Sequence, residues 1–277
     1  MNINRVIKKG LALIQPTKKL YAKVSYLSPN SRLKGKKIII TGGGKGLGKA
    51  MAKKFTSEGA SVLITGRDER SLQEVSQEVG CIYLPFDVTN FSALDDFIQE
   101  ADNKLGGADV LVNNAGLSLH EGNIDNVSIE QFDAQIDTNL KASYFLSQKF
   151  LQHYFKTGKE RGCILFITSE RGDYVDDIPY GLTKASINSL VKGLAKLYIK
   201  KNIRINALGP GVTASAMTGR EVGGDMYAPN YSTGRTYQPE EVAEVACFLI
   251  SDAAACISGQ IILCNNGNSI NSYKKSL

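Results

Sequence analysis

Seven short apolar runs, most of them near-continuous in Val, Ile and Leu, recur along the chain at 37–41, 60–65, 81–86, 109–113, 163–168, 203–208 and 260–264. A strand that is apolar on both faces has to be covered on both faces. Segments of helical length and pattern lie between the runs, at 46–57, 71–79, 92–105, 128–155, 180–200 and 239–250, with Ser128 placed to cap the fourth. Strands that alternate with helices in this way predict an α/β fold: a doubly wound parallel sheet with a helical layer on each side, three layers in one domain. The chain has 277 residues, 43% of them apolar, which suits one such domain with additions. We place the domain at 33–270, after an N-terminal extension at 1–32 and before a C-terminal tail at 271–277. A stretch at 213–236, rich in Gly, Ser, Thr and Tyr, breaks the rhythm and predicts a lid or binding segment.

Charge separates the extension from the domain. The first 37 residues carry ten Lys or Arg and no acid, whereas the rest of the chain is net −4. Ile3, Val6, Ile7, Gly10, Leu11 and Ile14 fall on one side of a helix, Asn4, Arg5, Lys8 and Lys9 on the other, and Pro16 marks a stop. Such a segment fits an anionic membrane surface, so a peripheral contact through residues 1–15 is one expectation for the arm, and packing on its own domain or a neighbouring subunit is another. Its two tyrosines, Tyr21 and Tyr26, make no base-stacking platform, and no nucleic-acid partner is expected. Lys18, Lys19 and Lys23 stand where a signal-peptide cleavage site would fall, and no apolar run reaches the length of a membrane span. A cytoplasmic protein, at most peripheral to the inner membrane face, is expected. The five cysteines form no CxxC pair and read as reduced core thiols; with two histidines and no Cys/His cluster, no metal site is expected.

Thr41-Gly42-Gly43-Gly44-Lys45-Gly46-Leu47-Gly48 lies between the first strand and the first helix. Glycines there let the backbone turn tightly and approach a pyrophosphate, and the helix that follows offers unpaired N–H groups and a positive dipole end. The strand–turn–helix context makes this a Rossmann-type dinucleotide site. Gly66-Arg67-Asp68 follows the second strand, where the adenosine ribose is read. An arginine there suits a 2′-phosphate, and Lys45 supplies a second cation, so NADP(H) is the expected cofactor. An Asp68 carboxylate turned to the ribose would weaken that expectation.

Tyr180-Gly181-Leu182-Thr183-Lys184 opens the fifth helix and puts a phenol and an ammonium on one helix face. A phenol ordinarily titrates near 10, and a neighbouring ammonium favours the phenolate. The tyrosine can then give a proton to a carbonyl oxygen as hydride reaches its carbon, or take one in reverse.

Taken together, these segments resemble the short-chain dehydrogenase/reductase family over roughly residues 33–267. Its TGxxxGxG corresponds to Thr41, Gly42, Gly46 and Gly48, its acid after the third strand to Asp87, followed by Val88, and its NNAG to Asn113, Asn114, Ala115 and Gly116. Its catalytic asparagine falls on Asn139, its serine on Ser169 (with Thr168 as fallback), its YxxxK on Tyr180 and Lys184, and its PG on Pro210 and Gly211. Thr213 and Ser215, just beyond, keep hydroxyls for a carboxamide contact. The resemblance implies Tyr180 as acid/base, Ser169 on the substrate oxygen, Lys184 on the nicotinamide ribose and tuning the phenol, and Asn139 organising a water. The chain departs from the pattern in Thr183, in Asn265-Asn266-Gly267, and in a short acidic stretch, 170–179, that suggests a polar substrate mouth. The implied activity is an NADP(H)-dependent oxidoreductase acting on a small-molecule carbonyl or alcohol, of the 3-oxoacyl-carrier-protein reductase type or a polar ketone or sugar reductase. Pairing through the helices at 128–155 and 180–200 implies a homodimer or homotetramer. A non-catalytic NADP-binding sensor or assembly protein is the rival, and its mark would be a broken Asn–Ser–Tyr–Lys set.

Overall fold

The first strand, β1 (Lys37–Thr41), sends Ile38 and Ile40 to one side of a sheet and Ile39 to the other, and all three are fully buried. In the computed structural model, which describes residues 30–231 and 234–270, six further strands follow. They are β2 (Ser61–Gly66), β3 (Ile82–Pro85), β4 (Val110–Asn113), β5 (Gly162–Ile167), β6 (Ile203–Pro210) and β7 (Ile261–Cys264). All pair in parallel in the order β3-β2-β1-β4-β5-β6-β7, with Ile39 beside Leu63 on one flank and Leu111 on the other. The chain runs outward from β1 to β3 and then crosses back to β4. Beyond the carboxyl ends of β1 and β4 the connections diverge, and a crevice opens there.

The described helices are α1 (Gly46–Ser57), α2 (Glu69–Val79), α3 (Leu94–Leu105), α4 (Ile129–Gln135), α5 (Ala142–Lys156), α6 (Pro179–Tyr198) and α7 (Pro239–Ile250). One layer packs Met51, Phe55, Leu72, Val242 and Ile250 of α1, α2 and α7 on Ile38, Ile40 and Ile64. The opposite layer packs Phe97, Leu146, Phe150, Ile187 and Val191 of α3, α5 and α6 on Ile39, Leu63 and Ile164. Each such side chain, fully buried, contributes about 1.5–3 kcal/mol. The three-layer architecture expected from the strand runs is the one observed.

The stretch at 128–155 is not one helix. Ser128 caps it as expected, with a capping box to Gln131, but after α4 the chain winds through a π-helical turn, Ile136–Lys141, before α5 begins. Asp137, Thr138 and Asn139 are weak helix formers, and tertiary contacts centred on Asn139 hold the turn. Strand β6 runs two residues further than expected, because its ladder with β7 continues through Gly209 beside Leu263 and Pro210 beside Cys264.

The domain starts where the charge pattern changes. Leu33 is fully buried, and its N–H donates to the Glu58 carbonyl at 3.0 Å. The Arg32 guanidinium grips the Glu58 carboxylate, which also takes Lys54 at 2.9 Å, while Glu244 of α7 bridges Arg32 and Lys54. Glu58 is 1% exposed, and Arg32 above all holds its carboxyl down at about 2. The amphipathic segment at 3–14 and the tail at 271–277 lie outside the described residues. Among those residues no helix is long and apolar enough to cross a membrane, and no cluster of side chains could hold a metal. All five thiols are free; Cys81, Cys163 and Cys247 are buried, Cys264 is partly so, and Cys256, expected in the core, is exposed.

Candidate active site

At the carboxyl end of β1 the chain turns through Gly42 (φ 66°) and Gly46 (φ 53°), left-handed conformations that favour glycine. A Cβ on Gly48 would overlap the Gly42 carbonyl oxygen, so the loop closes only around glycine. Helix α1 starts at Lys45 without a side-chain cap, which leaves its first N–H groups for an anion, while Leu47 packs on the core. The Thr41 hydroxyl accepts from the N–H of Asn114 (3.0 Å) and Ala115 (2.9 Å). The Asn114 amide donates back to the carbonyls of Thr41 (2.8 Å) and Gly42 (3.1 Å). These bonds stitch the segment after β4 to the glycine loop.

One cleft is lined by Gly42 and Lys45 of that loop, Arg67 after β2, Asp87 and Val88 after β3, and Ala115 and Gly116 after β4. The Asp87 carboxylate is fixed by the N–H (2.9 Å) and hydroxyl (2.7 Å) of Thr89. Asp68 also borders the cleft, but its carboxylate turns onto the N–H (3.2 Å) and hydroxyl of Ser71 and caps α2. Pro210 closes β6, and the Gly211 N–H donates to the Cys264 carbonyl at 3.0 Å. Thr213 donates to the Gly211 carbonyl at 3.0 Å, and Ser215 caps the turn Ala216–Thr218 within about 3.5 Å of where a Gly46 Cβ would stand. The described residues of the stretch at 213–236 are tied down by backbone pairing. Bridges join Thr213 to Tyr237 and Tyr227 to Arg235, and His120 after β4 meets the Met217 carbonyl at 2.8 Å.

The four chemical residues gather at the end of β5 and the start of α6. Pro179 sits at the first turn of α6, where a missing N–H costs nothing, and presents Tyr180 one residue later. The Ser169 hydroxyl comes near enough to the Tyr180 phenol to favour its ionised form. Thr168, the fallback, spends its hydroxyl on the Lys184 carbonyl at 3.1 Å. Lys184 is buried, with its ammonium on the Ile167 carbonyl (3.0 Å) and 5.5 Å from the Tyr180 ring centre. The Asn139 amide bonds to both backbone groups of Leu117 (2.7 and 2.8 Å) and to the Thr183 hydroxyl (3.2 Å), none of them local to its own turn. A Cβ on Gly116 would stand 3.5 Å from Asn139 Oδ1 and 3.6 Å from Lys184 Nζ, which puts glycine between them.

Burial dominates the electrostatics of Tyr180 and Lys184. Burial pulls the Lys184 ammonium down to about 8 and pushes the Tyr180 phenol up. The Ser169 hydroxyl and then the Arg171 guanidinium oppose that rise. Desolvation outweighs both.

The turn after Ser169 corrects the expectation of a polar mouth. Glu170 is buried and accepts from Tyr174 (3.1 Å), Asn265 (3.1 Å) and Asn268 (3.2 Å). Asp176 is gripped by Arg171, and Asp177 accepts from the Ile124 N–H at 3.1 Å. Three of the acids therefore serve the fold, and Tyr174 and Val175 are the exposed apolar side chains of the stretch. Of the departures from the family pattern, Thr183 holds the site residue Asn139 and Asn265 holds Glu170; nothing in their spacing signalled those partners.

A nucleotide cradle at the switch point of a parallel sheet, with a phenol and a serine hydroxyl beside a buried lysine, defines a dinucleotide-dependent oxidoreductase. The family described as Enoyl-(Acyl carrier protein) reductase matches residues 42–269. The chain is 30% identical over 246 residues to gluconate 5-dehydrogenase of Gluconobacter oxydans, covering 85% of this chain and 95% of that one. It is 31% identical over 245 residues to a 3-oxoacyl-[acyl-carrier-protein] reductase of Thermotoga maritima, covering 85% and 98%. Among solved structures it resembles a 3-ketoacyl-(acyl-carrier-protein) reductase from Brucella melitensis complexed with NADH. There the TM-score is 0.80 and the identity 30%, over 86% of this chain and all of that one. The chain belongs to the short-chain dehydrogenase/reductase family. It is an oxidoreductase that uses a nicotinamide cofactor and acts on carbonyl or CH–OH groups.

Proposed function

We propose that the protein reduces a carbonyl, or oxidises the corresponding secondary alcohol, with NADP(H), using Tyr180 as acid/base. The gathering of the Tyr180 phenol, the Ser169 hydroxyl and the buried Lys184 ammonium carries this reading, because it offers one oxygen of a substrate two donors at once beside a cation. A bound nicotinamide supplies or accepts the hydride. Tyr180 gives the proton to the substrate oxygen in reduction and removes it in oxidation, while Ser169 orients that oxygen. Lys184 holds the nicotinamide ribose. Asn139 keeps the segment after β4 in register with α6 through Leu117 and Thr183, and organises the water beside Lys184. Thr213 and Ser215 face the carboxamide. The substrate belongs to the 3-oxoacyl-thioester class or to the polar ketones and sugars, as the two kinds of named relatives suggest.

The phosphate on the ribose is read by Arg67 and Lys45. Both are exposed and border the cleft, and the capping role of Asp68 removes the carboxylate that would have favoured NAD. Exposed Tyr144, Phe145, Leu182 and Leu197 on α5 and α6 support a homodimer or homotetramer through those helices. The charge of the first 37 residues supports a cytoplasmic protein touching anionic membrane through residues 1–15. Co-sedimentation with anionic vesicles, compared with a chain starting at Ser31, tests that contact.

An NADPH-oxidation screen over acyl-thioester, sugar and steroid ketones tests the activity and names the class. Tyr180→Phe keeps the ring and removes the proton, so it should bind NADPH normally and turn over at background. Near-normal kcat in that variant would refute the assignment.

A further inference from the structure

The two ends of the sheet differ in charge. The turns that lead into β4, β5 and β6 (residues 104–109, 156–161 and 199–204) carry seven Lys or Arg and two acids, although residues 38–277 together are net −4. In a parallel sheet all three turns lie at the amino ends of the strands, where Lys36 and Lys37 enter β1 as well. Some of these cations are engaged by the fold. Lys37 donates to the Gly106 carbonyl, Lys159 to Asp102 at 2.9 Å and to the Ala108 carbonyl at 2.8 Å, and Lys201 lies 4.8 Å from the Phe155 ring centre. A cavity of about 230 Å³ opens in this face, and three other cations line it: Lys36, Arg161 and Arg204.

Both acids that line the cavity already have partners. Asp252 takes the Lys36 ammonium at 2.9 Å, and Asp109 accepts from the Lys37 N–H at 3.1 Å. Arg204 donates to the backbone carbonyls of Leu249 (2.8 Å), Ser251 (3.0 Å) and Ile257 (3.4 Å). These carbonyls fix the guanidinium plane, yet none carries a charge to neutralise it. The Arg161 guanidinium and the Asn202 carboxamide also line the cavity, and neither has a hydrogen-bond or ion-pair partner among the described residues. With Lys36 and Asp252 paired, two guanidinium charges stand against one carboxylate, so the cavity is net positive. Val110 and Cys163 beside them are buried, and a concave site with apolar walls concentrates the field of such charges.

We propose that this cavity binds a phosphate group, carried by a small soluble ester or by the headgroup of an anionic phospholipid, with Arg161 and Arg204 as its cationic ligands and Asn202 as a further donor. Guanidinium forks match phosphate oxygens, and two of them with an amide offer more donors than the two oxygens of a carboxylate would use. Ile199 and Ala255 give an apolar border for the group that the phosphate esterifies. Such a site is independent of the chemistry at Tyr180, which belongs to the other end of the strands.

Glycerol 3-phosphate, titrated by calorimetry at fixed ionic strength into the full chain saturated with NADPH, tests the site while the cleft's own phosphate positions are filled. Saturable binding of one equivalent is expected. Arg161→Gln removes an exposed side chain that holds nothing in the fold, and it should weaken that binding about tenfold or more, the effect of one charge-assisted hydrogen bond. Lys200→Gln removes the same charge from the same face but outside the cavity, and it should weaken binding less than about twofold. Turnover and NADPH affinity should be unchanged in both variants. Arg204→Gln should abolish binding; where the loss of its three carbonyl contacts unfolds the chain, Arg161→Gln decides. Co-sedimentation with mixed phosphatidylcholine and phosphatidic acid vesicles separates the two sources. A headgroup ligand predicts that Arg161→Gln lowers vesicle binding more than Lys200→Gln does, and a soluble ester predicts equal vesicle binding by the two variants. Absence of saturable glycerol 3-phosphate binding, or an equal loss in Arg161→Gln and Lys200→Gln, would overturn the proposal and leave this face a diffuse basic surface.

Discussion

Replacing Lys184 by Met should make the ligand-free protein more stable while it abolishes turnover. The ammonium is buried, and its one protein acceptor is the Ile167 carbonyl at 3.0 Å. Burial lowers its ionisation from 10.5 to about 8. That gap corresponds to about 3 kcal/mol held against the fold while the group is charged in both states. The hydrogen bond to Ile167, lost with the substitution, offsets about 1.5–2 kcal/mol, and Met fills most of the volume without a charge. A net gain of about 1–2 kcal/mol at pH 7 is expected. The sign of the pH dependence is fixed. The folded value lies below the unfolded one, so the penalty is complete below pH 8 and fades as pH rises from about 8 to 10.5. By pH 9.5 roughly half of it should be gone, and the wild type should catch up with the variant. Urea melts of both proteins at pH 7 and pH 9.5, followed by far-UV circular dichroism, give the two differences. A variant less stable by more than about 1 kcal/mol at pH 7, or a difference unchanged across that range, would refute the reasoning.

Three further outcomes are expected. Glu58→Gln should cost about 2–3 kcal/mol at pH 7, because Arg32 and Lys54 then face a neutral amide. Its carboxyl is depressed to about 2, so the stability it brings is present above about 4.5 and is lost as pH falls towards 2; melts at pH 7 and pH 3 should show the gap closing. Substituting both Lys45 and Arg67 by Ala should raise the NADPH Kd about tenfold or more and leave that for NADH nearly unchanged; equal Kd values in the wild type would point to NAD instead. Gly48→Ala should abolish binding of either dinucleotide in a fluorescence titration, since its Cβ overlaps the Gly42 carbonyl oxygen.

Much of this molecule is legible before any coordinate. Strands β1, β2, β4 and β5 are runs of apolar residues between glycine-rich turns, and their two-sided burial is the physical content of those runs. The glycine loop, the Asn114 segment and Tyr180 with Lys184 were recognisable because each needs particular residues at a fixed local spacing. What escaped the sequence is long-range. The π-helical turn at Asn139 depends on Leu117 and Thr183, which are 22 and 44 residues away. The acids of 170–179 suggested a polar substrate mouth, yet Glu170 is claimed by Asn265 and Asn268 from beyond β7, and Asp176 by Arg171. Charge composition says that an acid is present; only packing says whether it meets water.

The place where the chain enters the fold has a consequence for how the enzyme can be oriented. Arg32 and Leu33 dock beside Glu58, at the end of α1 that precedes β2, and so at the amino ends of the strands. The cleft opens at the carboxyl ends. The attachment point and the mouth are therefore antipodal. A partner engaged close to Arg32 would meet the face opposite the cleft and leave its mouth open for cofactor and product to exchange.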